Sequence, residues 1–308
     1  MLTIYKDTII RVFDQFISHQ KNGYANGTTK HYETIKSKVS KFIMKEYHQN
    51  DFPLENLSFI FISKFKSFLE TDYKNHPNTI YREIKRIKTV INWAIKMEWI
   101  AINPFRNFSS KTIPTVKSIL NLDDISMLES FYNKNSNMMI SRDSFLLMCY
   151  TGLSYSDLKD LKKNDIQNSI NGNLIIRISR KKTSEYCMIP LIKKANEIIK
   201  KYENHPFVIK EGYVLPVISN QKINQYLLEI QKEVKITKKI TCHVARHSFA
   251  TNALEMGVPI ETVSKALGHS SIKTTQIYAK VTETKLNQDF KLFENGINNN
   301  NQTLTKPI

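Results

Sequence analysis

The sequence predicts a mainly α protein, in which an all-α domain is followed by an α+β domain with a small antiparallel sheet. Three observations predict it. Apolar residues recur at helical spacing through roughly the first 110 positions. The stretch INPFRNFSSKTIPTVKS then interrupts the pattern with two prolines and a serine pair, the composition of a linker. Beyond it, two β-rich runs, NLIIRISR and EYCMIPL, stand among further helical segments. A chain of 308 residues accommodates two cores. The domains are placed at 1–108 and 120–293, with a linker over 109–119 and a polar, flexible tail over 294–308.

In order along the chain, TIIRVFDQFISHQ sets Ile9, Ile10, Phe13, Phe16 and Ile17 on one helix face. NGYANGTT follows as a break with two Asn-Gly turns. A second helix covers 28–47 with Lys30, Lys38, Lys41 and Lys45 on its polar face, and a third covers about 57–72. A fourth opens at Thr79 as N-cap, with Ile80, Ile84, Ile87, Ile91 and Ile95 as its buried stripe. Arg82, Lys85, Arg86 and Lys88 fall largely off that stripe. Such charges suit a solvated face, and four of one sign on one helix suit phosphate contacts equally well.

The second domain should hold helices near 121–133, 141–151 and 154–163. The two β-rich runs then pair around KKTS. LIKKANEIIKKYE returns to helix and GYVLP supplies a short strand. Helices follow at about 220–234, 243–256 and 259–267, then a helical segment holding Tyr278 and another over about 282–293. No internal repeat is present.

Composition narrows the partner. Formal net charge is +17, with a pI near 9.6, and both the first 117 residues and the remainder are net basic. Two basic halves fit a protein that grips a polyanion, nucleic acid above all, from two sides. Cys149, Cys187 and Cys242 are few, odd in number and scattered, which fits a reducing cytoplasm better than a disulfide framework. No stretch approaches ~20 apolar residues, so no membrane span is expected. The opening MLTIYKDTII lacks a secretory pattern.

The stretch TCHVARHSFA at 241–250 poses a choice between a metal site and an anion site. His243 and His247 are four apart and share a helix face. A zinc protease would place Glu after the first histidine; here Val244 stands there, no further ligand has convincing spacing, and Arg246 opposes a dication. No metal is therefore expected. An arginine instead offers a phosphate two parallel hydrogen bonds, and a histidine on the same helix adds a third. Downstream, LGHSSIKTTQIYAKV places His269 after a helix-ending Gly268, which turns it back towards Arg246. Tyr278, nine residues on, is a candidate nucleophile beside that pocket.

HVARHSFAT, LGHSS and TTQIYAKV together resemble the C-terminal signature of the tyrosine site-specific recombinases, the phage integrase family, in order, spacing and flanking residues. TGLSYSDL at 151–158 resembles the family's first motif, and RKKTSEYCMIPL at 180–191 its β-hairpin lysine motif. The basic helical first 110 residues are similar to the family's core-binding domain, so the likeness spans nearly the whole chain. It implies the tyrosine recombinase fold, a core-binding domain followed by a catalytic domain.

What the resemblance implies chemically is cleavage of one DNA strand by transesterification. Tyr278 would attack the scissile phosphate, leaving a 3′-phosphotyrosyl bond and a free 5′-hydroxyl. Arg246 and His243 would hold the non-bridging oxygens, His269 would add a donor, and Lys182 would protonate the departing oxygen. Bond energy is kept in the ester, so no cofactor, ATP or metal would be needed. Arg82, Lys85, Arg86, Lys38 and Lys41 would contact DNA. The chain departs from the pattern at Ser154, where the family places an arginine. Arg180, two residues before Lys182 and on the same side of an extended strand, is the first candidate to replace it, and Arg142 the second. Asp157 would orient the helix holding Ser154.

The expected partners are double-stranded DNA and further copies of the chain, in a tetrameric synapse. The copies would be joined by exchange of a C-terminal helix carrying Leu286, Phe290 and Phe293. The expected setting is cytoplasmic and nucleoid-associated, and the expected role is integration or excision of a mobile element. The alternatives are a DNA-binding protein descended from a recombinase and without cleavage, or a recombinase that resolves chromosome dimers or inverts DNA. Many integrases carry a further N-terminal arm-binding domain. A chain that starts at the core-binding region reads as a simpler recombinase or as part of a longer one.

Overall fold

A computed structural model describes residues 8–20, 26–115, 118–180 and 185–279, and seven positions between 286 and 297. It divides into two compact units, Met1–Thr115 and Val116–Ile308.

The first unit is helical: α1 (Ile9–Gln20), α2 (Asn26–Tyr47), α3 (Phe59–Thr71) and α4 (Pro77–Lys96). Each buries the apolar stripe its sequence carries. In α1 this comprises Ile9, Val12, Phe13, Phe16 and Ile17. In α4 it comprises Ile80, Ile84, Ile87, Val90, Ile91 and Ala94, with Ile95 half-buried. Each buried Ile or Phe contributes roughly 1.5–3 kcal/mol. Two expectations are corrected at helix starts. The second Asn-Gly pair, residues 26–27, opens α2 instead of forming a turn. The cap of α4 is His76, whose ring accepts from Asn78 N, with Pro77 at the first helical position where its missing N–H costs nothing. Asn78 also exchanges two hydrogen bonds with the backbone of Ile113, fastening that part of the expected linker to the first unit.

The second unit contains α5 (Leu122–Ser130), α6 (Ser136–Thr151), α7 (Tyr155–Asp160), β1 (Ile166–Asn168), β2 (Leu174–Ser179) and β3 (Tyr186–Pro190). These are followed by α8 (Lys193–Lys201), α9 (Pro206–Glu211), α10 (Asn220–Glu233), α11 (Cys242–Glu255), α12 (Ile260–Leu267) and α13 (Lys273–Gln276). Helix α6 is buried on almost every side and packs against α10 and α11. The sheet is antiparallel in the order β1-β2-β3, with Ile176 of β2 opposite Ile189 of β3.

The expected hairpin is present as β2 and β3, and β1 extends it. GYVLP is not a strand: Tyr213 makes a single bridge to Lys162. Helix α9 precedes it, capped by His205 at one end and by Gly212 at φ +73° at the other. Helix α13 stops before Tyr278. The turn residues 181–184, Lys182 among them, lie outside the described residues, as does most of the expected helix at 282–293 and the end of the tail. Among the described residues no helix is long and apolar enough to cross a membrane.

Candidate active site

The site grows from the C-terminal ends of two helices. Gly152 ends α6 at φ +67° and Gly268 ends α12 at φ +61°, conformations that glycine adopts without steric cost. Helix ends leave carbonyls unpaired, and their partial negative charge attracts cations. Arg246 on α11 uses both: Nη1 donates to Gly152 O at 2.7 Å and Nη2 to Leu267 O at 2.6 Å. Helix α11 is itself fixed by Ser248, whose hydroxyl accepts from Leu120 N, and by Asn252, whose amide donates to Leu120 O.

The turn at Gly268 brings His269 back as expected, with Nε2 3.2 Å from Arg246 Nη2 and Nδ1 2.8 Å from Thr275 Oγ1. A guanidinium only donates, so Nε2 accepts and the ring proton sits on Nδ1, facing Thr275. Burial, then the charges of Arg246 and Arg180, push His269 down to about 4, which keeps it neutral at pH 7. Burial, then the charge of Arg180, pulls Arg246 down to about 10, and it remains a cation.

Arg180, at the end of β2, is buried at 4% exposure. Its Nη1 donates to Asp157 Oδ2 at 2.7 Å, its Nη2 to Ala266 O at 2.8 Å and its Nε to Cys187 Sγ at 3.1 Å. Consecutive carbonyls of α12, at Ala266 and Leu267, therefore hold the two arginines. Asp157 is in turn gripped by Ser154, which caps α7 and donates its hydroxyl to Asp157 Oδ2 at 2.7 Å. Ser154, Asp157 and the α12 carbonyl thus hold the Arg180 guanidinium in place beside the Arg246 site, with each of its three nitrogens bonded within the protein.

Tyr278 is 8% exposed, and its hydroxyl lies 2.7 Å from His247 Nδ1. Burial raises its pKa while the charge of Arg246 lowers it, so the phenol lies within reach of that cation's field. The His247 ring also packs edge-on against the exposed His243 ring, with centroids 4.2 Å apart. The Arg246 guanidinium, a neutral imidazole and a phenol thus converge in a partly desolvated pocket beside the Arg180–Asp157 pair, and the Arg246 charge there would favour an anion.

The phage integrase family model matches residues 118–285, and a phage integrase SAM-like domain matches 8–112. The chain belongs to the phage integrase family. Tyrosine recombinase XerD of Listeria monocytogenes serotype 4b is 33% identical over 242 residues, covering 74% of this chain and 80% of the relative. Among solved structures, the lambda integrase dimer bound to a COC' core site has a similar fold, with TM-score 0.71 and 16% identity over 90% of this chain and 79% of that one. The Tn1549 transposon integrase in complex with a circular intermediate DNA has TM-score 0.69 and 17% identity over 93% of this chain and 99% of that one. The protein is a tyrosine recombinase, an enzyme that cuts and rejoins DNA at specific sites.

Other residues that the sequence singled out in this recombinase are less uniformly placed. Arg142 pairs with Asp143 and donates to the carbonyls of Glu129 and Phe131, so its guanidinium is committed to joining α5 and α6. On α4, Arg82 and Lys85 are exposed and Arg86 is half-buried. Lys41 on α2 is exposed. Lys38 is not on a polar face: its side chain is 13% exposed, bonded to the buried Glu83 at 2.5 Å and over the Tyr73 ring. A lysine neutralised in this way is a poor phosphate contact, and that expectation is corrected. His247 is a site residue that the sequence reading does not assign a role, although its spacing of four from His243 places it on the same helix face.

Proposed function

We propose that Tyr278 is the nucleophile that opens the DNA strand and that Arg246, Arg180, His243 and His269 hold the scissile phosphate. The observation that supports this most is the convergence of the Arg246 guanidinium, His269 and the Tyr278 phenol, with Arg180 held on the next carbonyl of α12. As the phenolic oxygen bonds to phosphorus, negative charge gathers on the phosphoryl oxygens. Cations fixed in advance stabilise that charge, at about 3–4 kcal/mol per donor by analogy with oxyanion holes. His269 presents an Nε2 lone pair to Arg246 in the resting site; beside a bound phosphate that nitrogen takes up a proton and donates. Lys182 protonates the 5′-oxygen as the P–O bond breaks, and attack by a 5′-hydroxyl of a partner strand reverses the step.

In this reading Arg180 replaces the arginine absent at Ser154, and residues 1–108 grip double-stranded DNA through Arg82, Lys85, Arg86 and Lys41. The reaction proceeds within a tetrameric synapse of this chain on the nucleoid, in the cytoplasm. Leu286 and Phe290, exposed at 47% and 63%, are part of the C-terminal helix donated to a neighbouring copy; Phe293 lies outside the described residues. The substrate is the end of a mobile element. The likeness in fold to a transposon integrase supports this.

A nicked suicide duplex carrying the site tests the core of this reading. The enzyme should become covalently joined to the DNA, and Tyr278→Phe should abolish the adduct while sparing binding. Tight binding by the wild-type protein without any adduct would favour the alternative, a DNA-binding protein that has lost cleavage.

A further inference from the structure

Helix α11 carries three side chains towards the site, and the reading above uses only His243 and Arg246. His247 is the remainder. It is 5% exposed, its Nδ1 is 2.7 Å from the Tyr278 hydroxyl, and its ring lies against the solvent-exposed His243.

A phenol of ordinary pKa near ~10 is ionised to only about one part in a thousand at pH 7. Burial of Tyr278 works further against ionisation, and the Arg246 charge offsets part of that. The proton must nevertheless leave as the oxygen bonds to phosphorus. A positioned base accelerates such a step by about 10²–10⁴, provided it lies within hydrogen-bond reach of the proton. His247 Nδ1 meets that condition. Lys182 serves the other oxygen, so two separate protons move at two separate places.

We propose that His247 is the general base for Tyr278: Nδ1 takes the phenolic proton during cleavage and returns it during rejoining. This rests on Tyr278 being the nucleophile. In the forward step the O–H bond breaks as an N–H bond forms on Nδ1, the phenolic oxygen bonds to phosphorus, and the P–O5′ bond breaks. The resulting imidazolium faces the phosphodiester anion, which also offsets its repulsion with Arg246. Among the described residues, the other ionisable groups around this centre are His243 and Arg246 on α11, His269 on the turn after α12, Arg180 at the end of β2, Asp157 on α7 paired with it, and Cys187 on β3.

The test uses the full chain and the suicide duplex in single turnover across a pH range. His247→Asn keeps a polar atom near the Nδ1 position but removes the base. It should fold, bind DNA normally and form adduct about 10²–10³ slower at pH 7, with the deficit shrinking as pH rises and hydroxide takes over. The deficit should persist on a duplex with a 5′-bridging sulfur, whose leaving group needs no proton. His247→Asn within about three-fold of wild type, a deficit independent of pH, or one erased by the bridging sulfur would each overturn the proposal. A fluorinated tyrosine at 278 provides a second measurement in the otherwise native chain. With His247 as base, the rate should rise at the same pH as with the native phenol, because that pH reports the base; a rise displaced to lower pH with the phenol's own acidity would count against His247. An adduct that survives Tyr278→Phe would instead sink the underlying reading.

Discussion

Removing the Arg180 side chain strands Asp157, whose carboxylate is buried at 5% side-chain exposure and accepts from Nη1. Breaking a buried pair from one side costs about 3–5 kcal/mol, whereas removing both charges costs less. Arg180→Ala should therefore lose both stability and adduct formation. Arg180→Ala with Asp157→Ala should recover much of the stability, read by denaturant midpoint, and still form adduct at least about 10²-fold slower. Arg142→Ala should weaken the fold without a comparable loss in adduct yield from folded protein. His269 carries a second residue-scale prediction. Its pKa of about 4 lies below the ordinary ~6.5, so below pH ~6.5 the unfolded chain takes a proton that the folded chain refuses. Stability should fall as pH drops through that window, and His269→Gln should flatten that part of the curve. A variant as acid-sensitive as wild type there would show the histidine uninvolved. The sequence made Arg246, His269 and Tyr278 legible because their spacing is local and motif-like. Asp157 as the tether of Arg180 was not legible, since the pair joins residues 23 apart through tertiary packing.

At the scale of elements, the end of α12 organises the pocket. A Cβ on Gly268 would meet Cys187 Sγ at 2.3 Å and Arg180 Cγ at 2.8 Å, at a φ of +61° that side chains rarely adopt. Backbone strain alone costs about 1–2 kcal/mol, and the clash adds to it. Gly268→Ala should lower stability by at least about 2 kcal/mol and slow cleavage beyond what the lost folded fraction explains, because both Arg180 and His269 hang on this turn. A variant of native stability and native rate would deny the turn its role. Helix periods are legible where apolar stripes are long, as in α1 and α4. Helix ends are less legible. Thr79 has the chemistry of a cap, but His76 caps the helix three residues earlier, with Pro77 at its first position. Strand β1 has three residues and owes its existence to pairing with β2, which no local pattern announces. By contrast, α9 carries legible signals, a proline at its start and a glycine at its end, although the neighbouring GYVLP is the more apolar stretch.

For the whole molecule, a net charge of +17 spread over both halves makes counterion release a large part of any DNA affinity. Log affinity should fall linearly with log salt, and Lys85→Ala or Arg82→Ala should each reduce the slope by about one contact. Lys38→Ala should leave the slope unchanged and destabilise the first unit, because its partner is Glu83. The two-domain plan was legible because an apolar core repeats on either side of a proline-bearing stretch, and charge pointed to a polyanion before any motif did. The depth of burial of Tyr278 against His247 was not legible, since it depends on how the segment after α13 packs on α11. The central claim is that this phenol, and no other group, becomes joined to DNA. Mass spectrometry of the adduct trapped on a suicide duplex, after digestion of protein and DNA, tests it most directly. The account predicts a nucleotide phosphate esterified to Tyr278; a nucleotide on any other residue, or none on protein bound to its site, would contradict it.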